Sequence, residues 1–314
     1  MNLAQMANRF YQDLKHPNTN RIPLSLFKEY IDEAERAINK RTRTIDSSSI
    51  IDSISQAVVK VPTTYSFPTD LLDWFITDVY YSTTTSVERR RLVPISIKDL
   101  DKITRKWREI TGPPQYWYID KINKVWGVVP CEKTVRTGTN CIEIKYKAKH
   151  TKLTRLYFTG TVDVVNGSAT VAGSGTAFIG NVVAGDELGI GSLLSRSIEF
   201  PTTFYAIEST PTLDDSLTLS DEYAGADASA QTYIISTPSS IENDELNLCC
   251  ILYAMGLARR KEGEKELGDT NITEALSRAE AEMQSLRSDA YSEEAEVPEG
   301  YAPYPGTELD DYGR

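Results

Sequence analysis

Apolar residues recur along this chain in two different rhythms. At the start, Met6, Ala7, Phe10, Tyr11 and Leu14 stand at helical spacing, which predicts a short amphipathic helix within Met1–Leu14. His16-Pro17-Asn18-Thr19-Asn20 breaks it. A second helix is expected after Pro23, from Ser25 to Lys40. Leu26, Phe27, Tyr30, Ile31, Ala34 and Ile38 form its apolar stripe, with Glu29, Glu33, Arg36 and Lys40 on the other face. Ser47–Ser49 reads as a loop closing this unit. Gln56–Val61 is β-branched and strand-like. Tyr65–Leu72 holds a proline turn that leads into the aromatic and β-branched run Trp74–Tyr81. A third helix is expected from Ser96, with Ile97, Leu100, Ile103 and Trp107 on one face, and Gly112-Pro113-Pro114 stops it. Gln115–Ile119 and Val125–Val129 read as strands around a turn at Asn123. In Cys141–Tyr146, Ile142, Ile144 and Tyr146 alternate with Glu143 and Lys145, the mark of a half-buried strand.

The rhythm changes between Leu156 and Ile235. Helical spacing disappears, and short Val/Thr/Ile runs alternate with Gly, Asn, Asp and Ser. Asn166-Gly167 is a strong hairpin signal, and Gly173-Ser174-Gly175 and Asp214-Asp215-Ser216 mark further turns. This stretch reads as an all-β insertion whose two ends lie close together. Helical sequence returns at Ser239. Ser239 and Glu242 have capping-box spacing, acidic residues crowd the first turns, Arg259-Arg260-Lys261 the last, and Gly263 follows as a stop. Between Leu246 and Ala258 nearly every residue is apolar or small, so this helix is expected at the centre of a bundle. A last helix is expected from Asn271, capped with Glu274, with Ile272, Ala275, Ala279, Met283 and Leu286 as its seam. From Asp289 onward the chain is rich in Glu, Pro, Gly and Tyr and has no periodicity, as in an arm that orders only on a partner.

Composition narrows the function more by exclusion than by motif. The 314 residues carry a formal net charge of −11, which leaves little of the basic surface that DNA binding uses. No segment reads as a signal peptide or a membrane span. Of the four cysteines, Cys249 and Cys250 sit in the apolar helix, while Cys131 and Cys141 flank a hairpin and are close enough in sequence to pair; thiols are favoured. His16 and His150 stand alone beside loop residues and read as surface positions. No Cys/His spacing suits zinc, and Gly173-Ser174-Gly175-Thr176 is neither a phosphate loop nor a nucleophile elbow. Asp214-Asp215 and Asp310-Asp311 read as a solvated turn and tail. Tyr116-Trp117-Tyr118 reads as sheet packing rather than a base-stacking platform. No catalytic residue, metal site or cofactor is therefore expected. Two groups are candidates for partner binding. One is the basic run Arg89, Arg90 and Arg91, read as a salt-bridged face at a subunit contact. The other is the arm, where Tyr291, Tyr301, Tyr304, Leu309 and Tyr312 are interleaved with prolines.

Phe67-Pro68-Thr69-Asp70-Leu71-Leu72 resembles the proline–aspartate turn of tailed-phage head-to-tail adaptor proteins. Gly112–Trp117, Val125–Pro130 and Ile144-Lys145-Tyr146 resemble their sheet, and Leu246–Lys261 and Asn271–Leu286 resemble their long bundle helices. The resemblance spans most of Pro23–His150 and Ser239–Arg287. Gly160–Phe178 resembles β-modules of phage structural proteins, which smaller adaptors lack. The resemblance implies a non-enzymatic virion part at the head–tail neck, made in the host cytoplasm. It implies a ring of copies, usually twelve, that binds the portal protein, receives tail or nozzle proteins, and lets DNA pass without specific binding and without a membrane. The expected fold class is α+β: a helix bundle with a small antiparallel sheet (1–155 and 236–288), an inserted all-β domain, sandwich- or barrel-like (156–235), and an extended arm (289–314). The competing readings are another virion or tail protein whose β-module binds a receptor or glycan, and a virion-borne hydrolase.

Overall fold

A computed structural model of the chain describes residues 1–14, 22–54, 64–82, 89–103, 107–130, 136–192 and 200–293. Among these residues, five helices and four small sheets form a mixed α+β fold, and no sheet closes into a barrel. The expected strand Gln56–Val61, His16, Cys131 and the arm residues Tyr301, Tyr304, Leu309 and Tyr312 lie outside the described residues.

The chain opens with α1 (Leu3–Asp13), α2 (Leu24–Thr42), β1 (Asp46–Ile54), β2 (Thr64–Ser66), β3 (Leu71–Ser82), β4 (Arg89–Arg91) and β5 (Val93–Pro94). There follow α3 (Ile97–Ile103), β6 (Tyr116–Asp120), β7 (Val125–Val129) and β8 (Arg136–Ala148). Asn2 starts α1 with a capping box: its side chain accepts the Gln5 N–H, and the Gln5 side chain accepts the Asn2 N–H. The strands form two sheets, not one. The first has the order β1-β8-β3-β4, and the second β2-β7-β6-β5, with β5 running parallel to β6.

Ser47–Ser49, expected as a loop, lies inside β1 and pairs with Lys145–Tyr146 and Ile144 of β8. Ser47, Ser49 and Ile51 turn inward while Asp46, Ser48 and Ile50 face water. Small polar residues give weak strand signals, but they suit an edge strand, which must not recruit a further chain. The proline–aspartate turn has a plain job. The Leu71 N–H closes the turn on the Pro68 carbonyl, and Asp70 accepts the Tyr146 hydroxyl at 2.8 Å. The turn thus sets where β3 enters the sheet beside β8. Trp117 is buried with Trp126 between the two sheets and Tyr118 packs beneath α3, as expected for sheet packing. Trp107, expected on the face of the third helix, lies instead in a short 3-10 turn, Trp107–Glu109, beyond the end of α3 at Ile103, and its ring meets Tyr118 edge-on.

The next segment contains β9 (Leu156–Tyr157), β10 (Thr161–Val164), β11 (Thr170–Ser174), β12 (Glu187–Ile190), β13 (Tyr205–Ala206), β14 (Ser216–Thr218), β15 (Ala228–Gln231) and β16 (Tyr233–Ser236). They make two four-stranded antiparallel sheets, β14-β11-β10-β15 and β13-β12-β16-β9. Between them lies a core of their own, built on Val162, Val171, Phe178, Leu188, Leu217 and Tyr233. Its first and last strands pair, Tyr157 with Ile235 and Leu156 with Ser236, so the chain leaves and returns side by side.

Helices α4 (Asp244–Glu262) and α5 (Lys265–Glu293) complete the bundle with α1 and α2. Three details differ from expectation. The N-cap of α4 is Asn243, which accepts the Leu246 N–H at 3.0 Å, because Ser239 is held elsewhere. Helix α5 starts at Lys265 rather than Asn271, since Glu264 to Leu267 are helix formers and Gly268, which looks like a breaker, lies within a turn of the start. It also runs to Glu293, past the expected boundary at 288, because no Pro or Gly interrupts Asp289–Glu293. Tyr291 is therefore in its last turns and not in an extended arm. Gly263 ends α4 with φ 93°, the left-handed cap that glycine adopts without strain.

Gly256 and Gly268 let α4 and α5 approach closely: a Cβ on Gly256 would come within 2.7 Å of the Gly268 carbonyl oxygen and of Ile272. In an exposed helix, Gly→Ala stabilises by about 1 kcal/mol. Here Gly256→Ala is expected to destabilise by about 1–3 kcal/mol through overpacking. Urea unfolding checks this, and an unchanged or raised midpoint contradicts the close approach.

Candidate functional site

The most constrained polar site lies where the chain passes from bundle to β-segment and back. One face of α2 carries Asp32, Glu35 and Asn39, all buried, beside the apolar Ile31, Ala34 and Ile38. Three- and four-residue steps place them in one row on the helix. Asn39 Nδ2 donates to the Ala148 carbonyl at 2.9 Å, at the end of β8. Asp32 Oδ1 lies 2.9 Å from His150 Nε2, two residues later, and Asp32 Oδ2 accepts from Arg36 at 3.0 Å. His150 is thus a partnered, largely buried residue and not the lone surface histidine expected. Glu35 meets the returning chain at Ser239, 2.5 Å away.

The hydrogen count around Ser239 favours a proton on Glu35. Its Oγ accepts the Ile241 N–H and lies 2.5 Å from Glu35 Oε1 and 2.9 Å from Asn247 Oδ1. Asn247 Nδ2 donates to the Ile241 carbonyl, so Oδ1 is the atom turned to Ser239. One hydroxyl proton cannot serve two acceptors. The arrangement closes when Glu35 is protonated: Glu35 donates to Ser239, and Ser239 donates to Asn247. Burial agrees, pushing the Glu35 carboxyl up to about 7 even though the charged form could accept the Ser239 hydroxyl, which lowers it. The Glu35 Oε2 atom is buried with no partner, which a neutral acid tolerates far better than a carboxylate.

Further ties hold the β-segment to this junction. Arg155 Nε donates to the buried Asp186 at 2.7 Å, and Asn2 Nδ2 to Glu187 at 2.7 Å. The first turn of α1 is bound to the returning strand by Leu3 N–H to the Thr237 carbonyl and Ala4 N–H to Ser236 Oγ. Apart from Ser239, read as a helix cap, and His150, read as a surface position, none of these residues stood out in the sequence, because single polar residues in apolar stripes carry no motif. The one available signal was the 3–4 spacing of Asp32, Glu35 and Asn39.

Of the expected partner-binding residues, Arg89, Arg90 and Arg91 and the helical position of Tyr291 fall among the described residues. Arg89, Arg90 and Arg91 form the exposed edge strand β4, paired with Ser82, Tyr81 and Tyr80. Arg89 meets Glu143 at 2.6 Å and Arg91 meets Asp78 at 2.5 Å, so two of the three are salt-bridged within the chain. A groove of about 550 Å³ opens between α1, α4 and α5, lined by Arg9, Leu248, Leu252, Met255, Arg278 and Glu282 among others. Leu248, 36% exposed, keeps part of the apolar helix α4 uncovered. Asp214 serves its turn, accepting the Ile179 N–H at 3.0 Å. No described helix is long and apolar enough to cross a membrane.

The comparison with known families points to a structural component of bacteriophages, an adaptor-type protein. Residues 1–155 match the family model described as SU10 adaptor protein, and the match ends one residue before β9. No curated protein matches the chain. The match takes in α1, α2, both of the first two sheets and β8. Helices α4 and α5, which also resemble adaptor helices in sequence, lie outside it.

A pH dependence follows from Glu35. Its folded value near 7 lies above the ordinary 4.5, so the folded state holds the extra proton between those values. The stabilising effect of the neutral acid is complete below about pH 4.5 and is lost as pH rises through 7, by on the order of 3 kcal/mol for this one group. Glu35→Gln keeps a neutral donor to Ser239. The variant is expected to gain stability relative to the parent between pH 5 and 8, seen as diverging urea midpoints; parallel midpoints contradict the assignment.

Proposed function

We propose that the protein is a head-to-tail adaptor of a phage virion: a non-enzymatic part that forms a ring below the portal, continues the DNA channel and offers a platform to the tail. The match of residues 1–155 to an adaptor family carries this reading. The bundle supports it, because α4 keeps Leu248, Leu252 and Met255 along an open groove that a neighbouring copy in a ring would cover. The formal net charge of −11 gives a wall that offers few contacts to DNA phosphates. In this reading the arm, with Tyr301, Tyr304, Leu309 and Tyr312, joins Arg90 as the means of attachment to portal or neighbour.

Electron microscopy of the protein mixed with the portal protein of its own phage tests this. Rings coaxial with the portal are expected, and fewer of them from a chain ended at Glu293. A protein that stays monomeric at high concentration and with portal contradicts the reading.

The β-segment is proposed to be an inserted domain carried by this adaptor core. Because β9 and β16 are neighbours, about 5 Å apart as paired strands are, a short Gly/Ser linker can replace 156–235. The helices are expected to stay folded, with amide exchange in α4 and α5 unchanged. Loss of cooperative unfolding in the deletion variant contradicts the insertion.

A further inference from the structure

A second site lies at the proline–aspartate turn. Between Leu71↔Ala148 and Ile76↔Tyr146 the register of β3 against β8 shifts, and Leu72–Phe75 bulge from the sheet. The bulge is held by two successive left-handed residues, Asp73 at φ 45° and Trp74 at φ 63°, a conformation that costs energy and persists only where the surroundings impose it. It turns Trp74 edge-on to Phe67, with ring centroids 4.7 Å apart. These two rings, with Pro68 and Leu71, wall a pocket of about 450 Å³. Lys124 and Lys149 stand at its rim with one carboxylate, Asp73. Both lysines are exposed, neither is in an ion pair among the described residues, and Lys149 reaches only the Thr69 carbonyl at 3.3 Å. Aromatic walls flanked by unneutralised ammonium groups suit a peptide that offers flat side chains next to carboxylates.

The chain contains such a peptide. Residues 301–312 read Tyr-Ala-Pro-Tyr-Pro-Gly-Thr-Glu-Leu-Asp-Asp-Tyr, with Glu308, Asp310 and Asp311 and no cation. They are also within reach, since α5 runs only about 10 Å further from Leu286 to its end at Glu293. Met283 and Leu286 of α5 line a cavity with Ile45, Asp46 and Lys147, and Lys147 is two residues from Lys149, about 7 Å along an extended chain. From the end of α5 at Glu293, the eight residues to Tyr301 span up to about 28 Å. We propose that residues 301–312 of the free chain dock in this pocket, a tyrosine ring against Trp74 and Phe67 and the carboxylates on Lys124 and Lys149. This concerns the isolated chain and does not rest on the adaptor reading.

The test uses the full chain with p-benzoylphenylalanine in place of Tyr304, irradiated and mapped by mass spectrometry. Cross-links from position 304 to Ser66–Trp74 or Lys149 are expected, reduced at least fivefold in Lys124→Glu/Lys149→Glu and in 0.5 M salt, since exposed ion pairs are screened. Mixing ¹⁵N-labelled and unlabelled copies separates docking within a chain from docking between chains. Cross-links elsewhere, no cross-links, cross-links between copies, or a yield indifferent to charge reversal would each overturn the proposal. The lysines are exposed, so the double variant folds; Trp74→Ala gives a second check and is expected to lower the same cross-links.

Discussion

The row Asp32, Glu35 and Asn39 on α2 is the constraint from which the arrangement of the chain follows. A buried polar group left without a partner costs about 1–3 kcal/mol, so each of these residues demands a defined neighbour. The neighbours are Ala148, His150 and Ser239, the points where the chain leaves the first sheet and where it returns to the bundle. Each member of the row meets a residue outside α2, so the row ties the helix to three defined points of the chain. It thereby fixes the end of β8, the start of α4 and, through Arg155 and Asn2, the placement of the β-segment between them.

This linkage bears on function. The residues that match the adaptor family stop at 155, yet the hydrophobic core they belong to does not. Phe10, Phe27, Ile31 and Ile38 share one core with Leu246, Cys250, Ala254 and Ala279, which lie beyond the β-segment. The helical unit therefore closes only after the whole β-segment has been made. Paired ends at β9 and β16 make such an interruption cheap, because they return the chain to within one strand spacing of where it left.

Periodicity made α1, α2, α4, the hairpin of β6 and β7, and the change of character at Leu156 readable. Cues that depend on a partner far away in sequence were not. Ser47–Ser49 becomes a strand only because β8 lies beside it, and Gly268 looks like a stop until Gly256 is seen against it. Ser239 was expected to cap α4 because Glu242 stands in the right place, but the buried Glu35 holds its hydroxyl and Asn243 takes over the cap. His150 looked solitary because Asp32 is more than a hundred residues away. The pocket at Trp74 was also hidden, since left-handed residues in the middle of an apolar run leave no trace in composition.

In this arrangement α2 presents a neutral acid to the returning chain. Carbon-detected NMR of protein ¹³C-labelled at glutamate, with Glu35 assigned by comparison with Glu35→Gln, reads that proton directly. A carboxyl carbon that titrates with a midpoint near 7 is the predicted result. A midpoint at the ordinary glutamate value of 4.5 would contradict the account, because a charged Glu35 cannot complete the hydrogen-bond chain through Ser239 to Asn247.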